Sequence, residues 1–255
     1  MGRLEGKVAV ITGGAGGIGR CAGKLFVSEG ASVLLVDLSE RDLETAVADI
    51  GSNRVSYCVA DVTDPEDNRR FVATAMDRYG GVDVFLANAG IEGKVKPIVD
   101  HDVETFDRVL AVNVRGPWLG LKAVIPEMQK RGGGSIVITS SVAGVGGAPG
   151  LSAYVTSKHA VIGMMRSAAL ECAPLKIRVN TVNPSPVETR MMRSLEEQIA
   201  PGGAAGARDL MASQIPLQRY AEPDDVAKLM LFLASDDSAF LTGSVYMVDG
   251  GSRAK

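Results

Sequence analysis

A run of glycines after the first apolar segment is the first feature of the sequence with a chemical use. The run reads Thr12-Gly13-Gly14-Ala15-Gly16-Gly17-Ile18-Gly19, and a helix-compatible segment from Arg20 to Glu29 follows it. Glycines at a strand-to-helix turn let backbone N–H groups, together with the helix dipole, approach a pyrophosphate. In a chain with 30 glycines, an ordinary turn is the alternative interpretation.

Asp37 favours the pyrophosphate interpretation. It ends the second apolar run, about 20 residues after the glycines, where a carboxylate accepts both hydrogen bonds from an adenosine ribose. A 2′-phosphate at this place would meet like-charge repulsion of about 4 kcal/mol at an effective dielectric of about 20. Neither Gly14 nor Leu38 supplies a compensating cation. The sequence therefore predicts a dinucleotide site that prefers NAD(H) to NADP(H).

Tyr154 and Lys158 form a second candidate cluster. They lie four residues apart in a helix-compatible segment, Ala153 to Cys172, and so share one helix face. The spacing by itself is weakly informative. Ser140 and Ser141 follow the fifth apolar run, at the carboxyl edge of the predicted sheet, where an open α/β fold binds its ligand.

Short apolar runs alternate with helix-compatible segments and must position these residues. Most runs are continuous rather than alternating, as expected for strands covered on both faces. The runs are Val8–Ile11, Val33–Val36, Val55–Val59, Val82–Ala87, Ile136–Ile138, Ile177–Val182 and Val245–Val248. Repeated β-α units with right-handed crossovers build a parallel sheet. We therefore predict an α/β fold: a single doubly wound (Rossmann) domain over residues 1–255, with a seven-stranded, mainly parallel sheet and helices on both faces.

The stretch from Pro184 to Glu222 is rich in proline and glycine and interrupts this alternation. A loop of this length inside a compact domain is usually a lid or disordered. Residues 185–220 follow the sixth strand and carry the apolar side chains Met191, Met192, Leu195, Ile199 and Met211. We expect a mobile substrate lid and a mainly apolar substrate. Packing of the segment on a neighbouring subunit is the alternative.

The composition excludes several classes of protein. The 255 residues are 46% hydrophobic and 22% charged with a net charge of −3, as in an ordinary globular domain. The absence of a basic run argues against nucleic-acid and anionic-membrane partners, and no stretch is apolar enough for membrane insertion. Three separated cysteines indicate free thiols in the cytoplasm, and two distant histidines predict no metal site.

The motifs together resemble the short-chain dehydrogenase/reductase family, in its single-domain branch, from about Lys7 to Gly251. The glycine run is similar to the family's cofactor motif, Asp61-Val62 to its adenine-contacting pair and Asn88-Ala89-Gly90 to its strand-four motif. The resemblance implies that the catalytic residues are Asn113, Ser141, Tyr154 and Lys158. It implies that the cofactor-binding residues are Gly13, Gly17, Ile18, Gly19, Asp37, Asp61, Val62, Asn88, Ala89, Gly90, Tyr154, Lys158, Pro184, Val187 and Thr189.

The resemblance also implies a role for each catalytic residue. Ser141 rather than Ser140 has the family's usual spacing to the tyrosine and holds the substrate oxygen. Tyr154 is the general base in alcohol oxidation, Lys158 also binds the nicotinamide ribose, and Asn113 fixes a water in a proton relay. A homotetramer is implied as well.

The general-base role of Tyr154 requires a large pKa shift. A reference pKa of about 10 must fall by about 3 units, which corresponds to about 4 kcal/mol. One ammonium at about 4 Å supplies a similar amount. Lys158 is therefore expected to be nearly sufficient, and oxidised nicotinamide adds a second positive charge.

Two positions depart from the family pattern. Ala87 replaces the first Asn of the usual Asn-Asn-Ala-Gly, which is expected to loosen a local hydrogen bond without affecting chemistry. Ser185 replaces the usual glycine after Pro184, which leaves the backbone path beside the nicotinamide open.

These observations predict an NAD(H)-dependent oxidoreductase that transfers a hydride between the nicotinamide and a secondary alcohol or ketone. One alternative is a 3-oxoacyl-carrier-protein reductase, against which Asp37 weighs because that enzyme usually requires NADPH. The other is an NAD-binding regulatory protein without turnover, against which the complete catalytic set weighs. The sequence does not identify the alcohol or ketone substrate.

Overall fold

The structure is a computed structural model that describes residues 2–254, so the two ends of the predicted domain, Met1 and Lys255, lie outside it. Seven strands form one sheet in the order β3-β2-β1-β4-β5-β6-β7, and every neighbouring pair is parallel. The strands are β1 (Val8–Thr12), β2 (Ser32–Asp37), β3 (Val55–Val59), β4 (Val84–Ala87), β5 (Gly134–Thr139), β6 (Ile177–Pro184) and β7 (Val245–Val248). The predicted sheet is confirmed, and it is wholly rather than mainly parallel.

The described residues contain nine α-helices, and α7 and α8 pack on each other rather than on the sheet. They are α1 (Gly17–Ser28), α2 (Glu40–Ile50), α3 (Pro65–Tyr79), α4 (Val103–Leu110), α5 (Gly116–Lys130), α6 (Ser152–Cys172), α7 (Arg190–Ile199), α8 (Ala204–Ser213) and α9 (Pro223–Ala234). Local signals set several of their ends. Asp64 caps α3 by accepting the Glu66 N–H at 2.6 Å, Pro65 occupies the first turn, and Gly80 ends the helix with φ +80°.

Successive side chains along each strand belong alternately to two hydrophobic cores, one on each face of the sheet. Ile11 packs in the cluster that contains Phe26 of α1, whereas its neighbour Val10 packs in the cluster that contains Phe71 of α3 and Met165 of α6. Because successive side chains of a strand point to opposite faces, a strand buried on both faces is apolar at every position. This explains the continuous apolar runs in the sequence.

The strand order reverses between β1 and β4. In an open parallel sheet, the crevice at the carboxyl ends of the strands beside such a reversal is the usual ligand site. The glycine-rich turn follows β1, and the segment that begins with Asn88 follows β4, so both lie at this crevice.

The stretch from Pro184 to Glu222, expected to be an irregular loop, contains the two helices α7 and α8. Its prolines and glycines fall mainly at helix boundaries: Pro186 precedes α7, residues 201–203 separate α7 from α8, and Pro216 follows α8. Proline is tolerated outside helices, so a high proline content over the whole stretch does not exclude helices within it.

Between Gly2 and Ala254, no helix is long and apolar enough to cross a membrane. The same residues contain no group of three or more side chains placed to hold a metal ion. Cys21, Cys58 and Cys172 are free thiols, as the sequence predicts.

Candidate active site

The turn between β1 and α1 depends on glycine at two of the predicted cofactor positions. Gly13 has φ +65°, and a Cβ atom there would lie 2.9 Å from the Ala89 Cα. A Cβ atom at Gly19 would collide with the Gly13 carbonyl oxygen. A side chain at either position would therefore displace the backbone at the mouth of the crevice.

The N-terminus of α1 presents unpaired backbone donors to this crevice. The N-cap residue Gly16 has no capping side chain, and the first turn contains no acidic residue. The N–H groups of Gly17, Ile18 and Gly19 find no acceptor in the part of the chain that the structure describes. A pyrophosphate suits this position because it accepts hydrogen bonds and its charge is stabilised by the helix dipole.

Asp37 ends β2 beside this turn. Its carboxylate accepts the Ala15 N–H at 3.1 Å and the Leu38 N–H at 2.8 Å, which fixes its orientation relative to the glycine-rich segment. A carboxylate has about four acceptor sites, so two backbone donors leave capacity for ribose hydroxyls. The residue is half-buried.

Asn88, expected to contact the cofactor, also joins three strands. Its Nδ2 donates to the Thr12 carbonyl oxygen at 3.2 Å, and its Oδ1 accepts the Thr139 hydroxyl at 3.1 Å. The replacement at Ala87 leaves these bonds intact, and Ala87 is itself 2% exposed in the core.

The Asp61 carboxylate accepts hydrogen bonds from the backbone N–H and the hydroxyl group of Thr63, both at 2.8 Å.

Asp61 is followed by Val62, which is half-buried against the start of α5. A Cβ atom at Gly116 would lie 2.9 Å from a Val62 methyl group.

The segment after β6 faces the glycine-rich turn from the other side of the crevice. A Cβ atom at Gly17 would lie 3.2 Å from the methyl group of Thr189, and the Thr189 hydroxyl donates to the Val187 carbonyl oxygen. Ser185, which follows Pro184 at the position of the family glycine, donates its N–H to the Val248 carbonyl oxygen at 3.0 Å and has no positive φ. The backbone path there therefore does not require glycine.

Tyr154 and Lys158 lie on one face of α6, as predicted from their spacing. The Lys158 Nζ is 5.4 Å from the centroid of the Tyr154 ring and donates to the Thr139 carbonyl oxygen at 2.9 Å. Lys158 is 4% exposed, so its ammonium is held inside the protein by a strand-end carbonyl group.

The two serines after β5 have different partners. The Ser140 hydroxyl donates to the Lys158 carbonyl oxygen at 2.9 Å and so ties β5 to α6. The Ser141 hydroxyl donates to the Pro184 carbonyl oxygen at 3.4 Å and accepts the Ala143 N–H at 3.1 Å, and it lies close enough to the Tyr154 hydroxyl to lower its pKa. Only Ser141 is therefore placed beside the tyrosine hydroxyl.

Asn113 lies in a π-helical turn, Ala111–Arg115, between α4 and α5. It is 1% exposed, and its carboxamide bonds both backbone groups of Ile91, at 2.8 and 2.9 Å. Its Nδ2 also donates to the Ser157 hydroxyl at 3.0 Å, and Ser157 in turn donates to the Tyr154 carbonyl oxygen. The structure thus joins the four predicted catalytic residues within one cluster.

The protonation of this cluster differs from the sequence-based expectation. Burial raises the pKa of Tyr154 to about 12; the hydrogen bond with Ser141 acts in the opposite direction, and the charge of Glu92 raises it further. Burial also lowers the pKa of Lys158 to about 8. The expectation that Lys158 nearly suffices to ionise Tyr154 is therefore wrong for the side chains of this chain alone, because removal from water disfavours both charges.

Sequence reasoning missed three groups that hold the cluster: the Ser157 hydroxyl and the carbonyl groups of Thr139 and Ile91. Ser157 precedes Lys158 and lies one helical turn after Tyr154, which is a weak signal for a shared role. The two carbonyl groups carry no signal, because their use depends on backbone position rather than on residue type.

Comparison with known proteins extends these observations. A family model described as enoyl-(acyl carrier protein) reductase matches residues 13–253. The 3-oxoacyl-[acyl-carrier-protein] reductase of Thermotoga maritima is 41% identical, with 98% of each chain covered. A crystal structure of levodione reductase is 35% identical with a TM-score of 0.96, covering 98% of this chain and 99% of the other. One of NAD⁺-bound xylitol dehydrogenase is 32% identical with a TM-score of 0.91, covering 97% and 99%.

Fold, crevice and relatives together define an oxidoreductase that uses a nicotinamide dinucleotide and acts on CH–OH groups. Within that class the chain belongs to the short-chain dehydrogenase/reductase family.

Proposed function

We propose that this enzyme interconverts a secondary alcohol and a ketone with NAD(H) in preference to NADP(H), and that Asn113, Ser141, Tyr154 and Lys158 are its catalytic residues. The observation that carries the proposal is that the Lys158 Nζ lies 5.4 Å from the Tyr154 ring centroid while the Ser141 hydroxyl lies close enough to the Tyr154 hydroxyl to lower its pKa. It supplies a proton donor or acceptor, a hydrogen-bonding group for the substrate oxygen and a positive charge within one cluster.

A raised Tyr154 pKa suits proton donation to a ketone oxygen, because the hydroxyl stays protonated across the physiological range. In this direction Ser141 orients the ketone oxygen and Tyr154 donates its proton to it. In alcohol oxidation Tyr154 must first lose its proton, and the Lys158 ammonium favours the tyrosinate. The bound nicotinamide supplies or accepts the hydride and, when oxidised, adds a positive charge.

Asn113 supports a proton path rather than the reacting atoms. Its carboxamide is committed to Ile91 and Ser157, and it lies beside Gly90, where a Cβ atom would be 3.3 Å from the Asn113 Oδ1 and 3.5 Å from the Lys158 Nζ. We propose that a water held in this corner connects Lys158 to solvent.

The cofactor positions follow the same crevice. The glycine-rich turn binds the pyrophosphate through Gly13, Gly17, Ile18 and Gly19. Asp37 accepts the ribose hydroxyls, and its charge disfavours a 2′-phosphate. The remaining positions line the adenine and nicotinamide ends of the crevice: Asp61, Val62, Asn88, Ala89, Gly90, Pro184, Val187 and Thr189.

A direct assay tests the proposal. Purified enzyme is supplied with NADH or NADPH and a panel of cyclic ketones, open-chain ketones, polyol-derived ketoses and an acetoacetyl thioester, and absorbance at the nicotinamide band is followed. We expect reduction of at least one simple ketone with higher kcat/KM for NADH. Turnover restricted to NADPH would contradict the Asp37 assignment.

A second candidate, reduction of a 3-oxoacyl group on a carrier protein, is favoured by the relative from Thermotoga maritima. The thioester in the panel separates the two candidates. A kcat/KM for the thioester above that of every simple ketone would support the second candidate.

We also propose that the enzyme is a cytoplasmic homotetramer. The free thiols suit a reducing compartment. Trp118 on α5 and Leu170 on α6 are 51% and 80% exposed, and large exposed apolar side chains on adjacent helices favour association. Sedimentation of the purified protein tests this, and a monomer would contradict it.

A further inference from the structure

The residues directly after Gly90 carry a carboxylate whose role is not explained by the catalytic cluster. This residue, Glu92, follows Ile91, and both backbone groups of Ile91 are bonded to the Asn113 carboxamide, at 2.8 and 2.9 Å. The backbone on the N-terminal side of Glu92 is therefore fixed by a residue of the catalytic cluster.

The backbone on the other side of Glu92 is fixed by the segment proposed as a lid. Gln198 of α7 accepts the Val95 N–H at 3.0 Å and donates to the Gly93 carbonyl oxygen at 3.4 Å. Gly93 has φ +75°, a conformation that favours glycine. The backbone at Glu92 thus lies between contacts with the catalytic cluster and contacts with α7.

The Glu92 side chain is half-buried and makes neither an ion pair nor a hydrogen bond with any other residue from 2 to 254. Its neighbour Lys94 instead pairs with Asp102 at 3.0 Å. The negative charge of Glu92 raises the pKa of the Tyr154 hydroxyl, as expected for a carboxylate whose preceding residue, Ile91, is held by Asn113. A carboxylate with no partner among the described residues has acceptor capacity for a ligand.

We infer that Glu92 is a specificity-determining residue, which accepts a hydrogen bond from a hydroxyl group on the substrate, near the reacting carbonyl, and disfavours substrates that carry a carboxylate there. This inference rests on the proposed ketone reductase function and specifies its substrate class. The substrate is an uncharged hydroxyketone, or in the other direction a diol.

The segment 185–220, which we expect to be a lid, narrows the substrate class further. Met191 and Met192 of α7 are half-buried, and Leu195 is buried, so α7 supplies apolar side chains for contact with a substrate beside the one buried carboxylate of Glu196. Methionine side chains adapt to irregular apolar shapes. An apolar carbon skeleton with one hydroxyl group beside the ketone satisfies both α7 and Glu92.

Three matched ketones test the inference: cyclohexanone, 3-hydroxycyclohexanone and 3-oxocyclohexanecarboxylate. The wild-type enzyme and the variants Glu92→Gln, Glu92→Asp and Glu104→Gln are compared by kcat/KM with NADH. Glu104 is an exposed glutamate at the start of α4 and serves as the matched charge control.

We expect the wild-type enzyme to favour the hydroxyketone over the carboxylate by about a hundredfold or more, as a site with an uncompensated like charge should. Glu92→Gln should reduce this ratio by at least about tenfold, since an amide still accepts a hydrogen bond but no longer repels an anion. Glu92→Asp should restore most of the discrimination, and Glu104→Gln should retain all of it.

An unchanged ratio in Glu92→Gln would overturn the inference. Binding of the same three compounds to the enzyme–NADH complex, followed by nicotinamide fluorescence, separates this from failure of the proposed function. If none is reduced but the hydroxyketone binds more tightly than the carboxylate in the wild type and not in Glu92→Gln, the inference stands and the function is wrong. If none binds, the inference is wrong as well.

Discussion

The catalytic cluster and the segment 185–220 are held in place by different kinds of interaction. In the cluster, Lys158 and Asn113 are 4% and 1% exposed, and their partners are uncharged carbonyl and hydroxyl groups. In the segment, Glu188 pairs with the guanidinium groups of both Arg193 and Arg208, whose side chains are 43% and 42% exposed.

The difference predicts different responses to conditions. Half-exposed ion pairs contribute little each and are weakened by salt, whereas buried hydrogen bonds are hardly screened. The cluster should therefore keep one geometry, while the segment adjusts its position on the crevice. A fixed reacting centre and an adjustable cover are what a substrate lid requires.

The largest expected effect is on the cluster. Tyr154→Phe removes the hydroxyl that transfers the proton, and we expect kcat to fall by about a thousandfold, within the range of general acid–base catalysis. The dissociation constant of NAD⁺ should stay within about threefold, measured by titration calorimetry, because the hydroxyl does not carry the dinucleotide. A loss of less than about tenfold in kcat would show that Tyr154 is not the proton donor.

Asp37 is held by two backbone hydrogen bonds, like the residues of the catalytic cluster, and should control the choice of cofactor. Asp37→Ser removes the charge that repels a 2′-phosphate, and we expect the ratio of kcat/KM for NADP⁺ to that for NAD⁺ to rise about a hundredfold. Asp42→Asn, at an exposed position in the first turn of α2, is the charge-matched control. A wild-type preference for NADP⁺ would refute the assignment at the outset.

We expect the burial of the Lys158 ammonium in the cluster to reduce the stability of the folded protein. Burial lowers the Lys158 pKa from 10.5 to about 8, so the unfolded chain binds the proton more tightly than the folded one. The resulting decrease in the free energy of unfolding is fully present below pH 8 and disappears as the pH rises towards 10.5. We expect Lys158→Met to lose activity yet to raise the free energy of unfolding at pH 7 by about 2 kcal/mol, after allowance for the lost hydrogen bond.

Urea denaturation of wild type and Lys158→Met at several pH values measures the difference. The gain should shrink between pH 8 and pH 10, where the wild-type lysine loses its proton. If Lys158→Met is less stable than the wild type at pH 7, the hydrogen bonds of the Lys158 ammonium more than offset its loss of water, and the prediction is wrong.

The smallest effect is expected in the segment 185–220. Glu188→Gln removes the common acceptor of two guanidinium groups, and partly exposed pairs of this kind are worth about 1 kcal/mol each. We expect KM for the ketone to rise about threefold, with kcat and NADH affinity nearly unchanged and the salt dependence of KM reduced. Asp209→Asn, at an 80% exposed partner 3.9 Å from Arg208, should leave all of these values unchanged.

A change in oligomeric state without a change in KM would favour the alternative interpretation of the segment. In that case residues 185–220 pack on a neighbouring subunit, and the contrast with the catalytic cluster reflects assembly rather than substrate entry.

The sequence by itself determined the parts of this protein that depend on local patterns. Continuous apolar runs predicted the parallel strands because a strand covered on both faces has no polar side. The glycines at positions 13 and 19 marked a turn that tolerates no side chain, and the four-residue interval between Tyr154 and Lys158 placed both on one face of α6.

Only the tertiary structure decided how these parts meet and what surrounds them. The stretch after β6 contains helices because its prolines lie between them, which composition does not reveal. The hydrogen bonds of Asn113 with Ile91 and of Gln198 with Val95 join segments that are distant in sequence. The direction of the Tyr154 pKa shift depends on burial, and burial is set by the packing of the whole chain around the residue rather than by its neighbours in sequence.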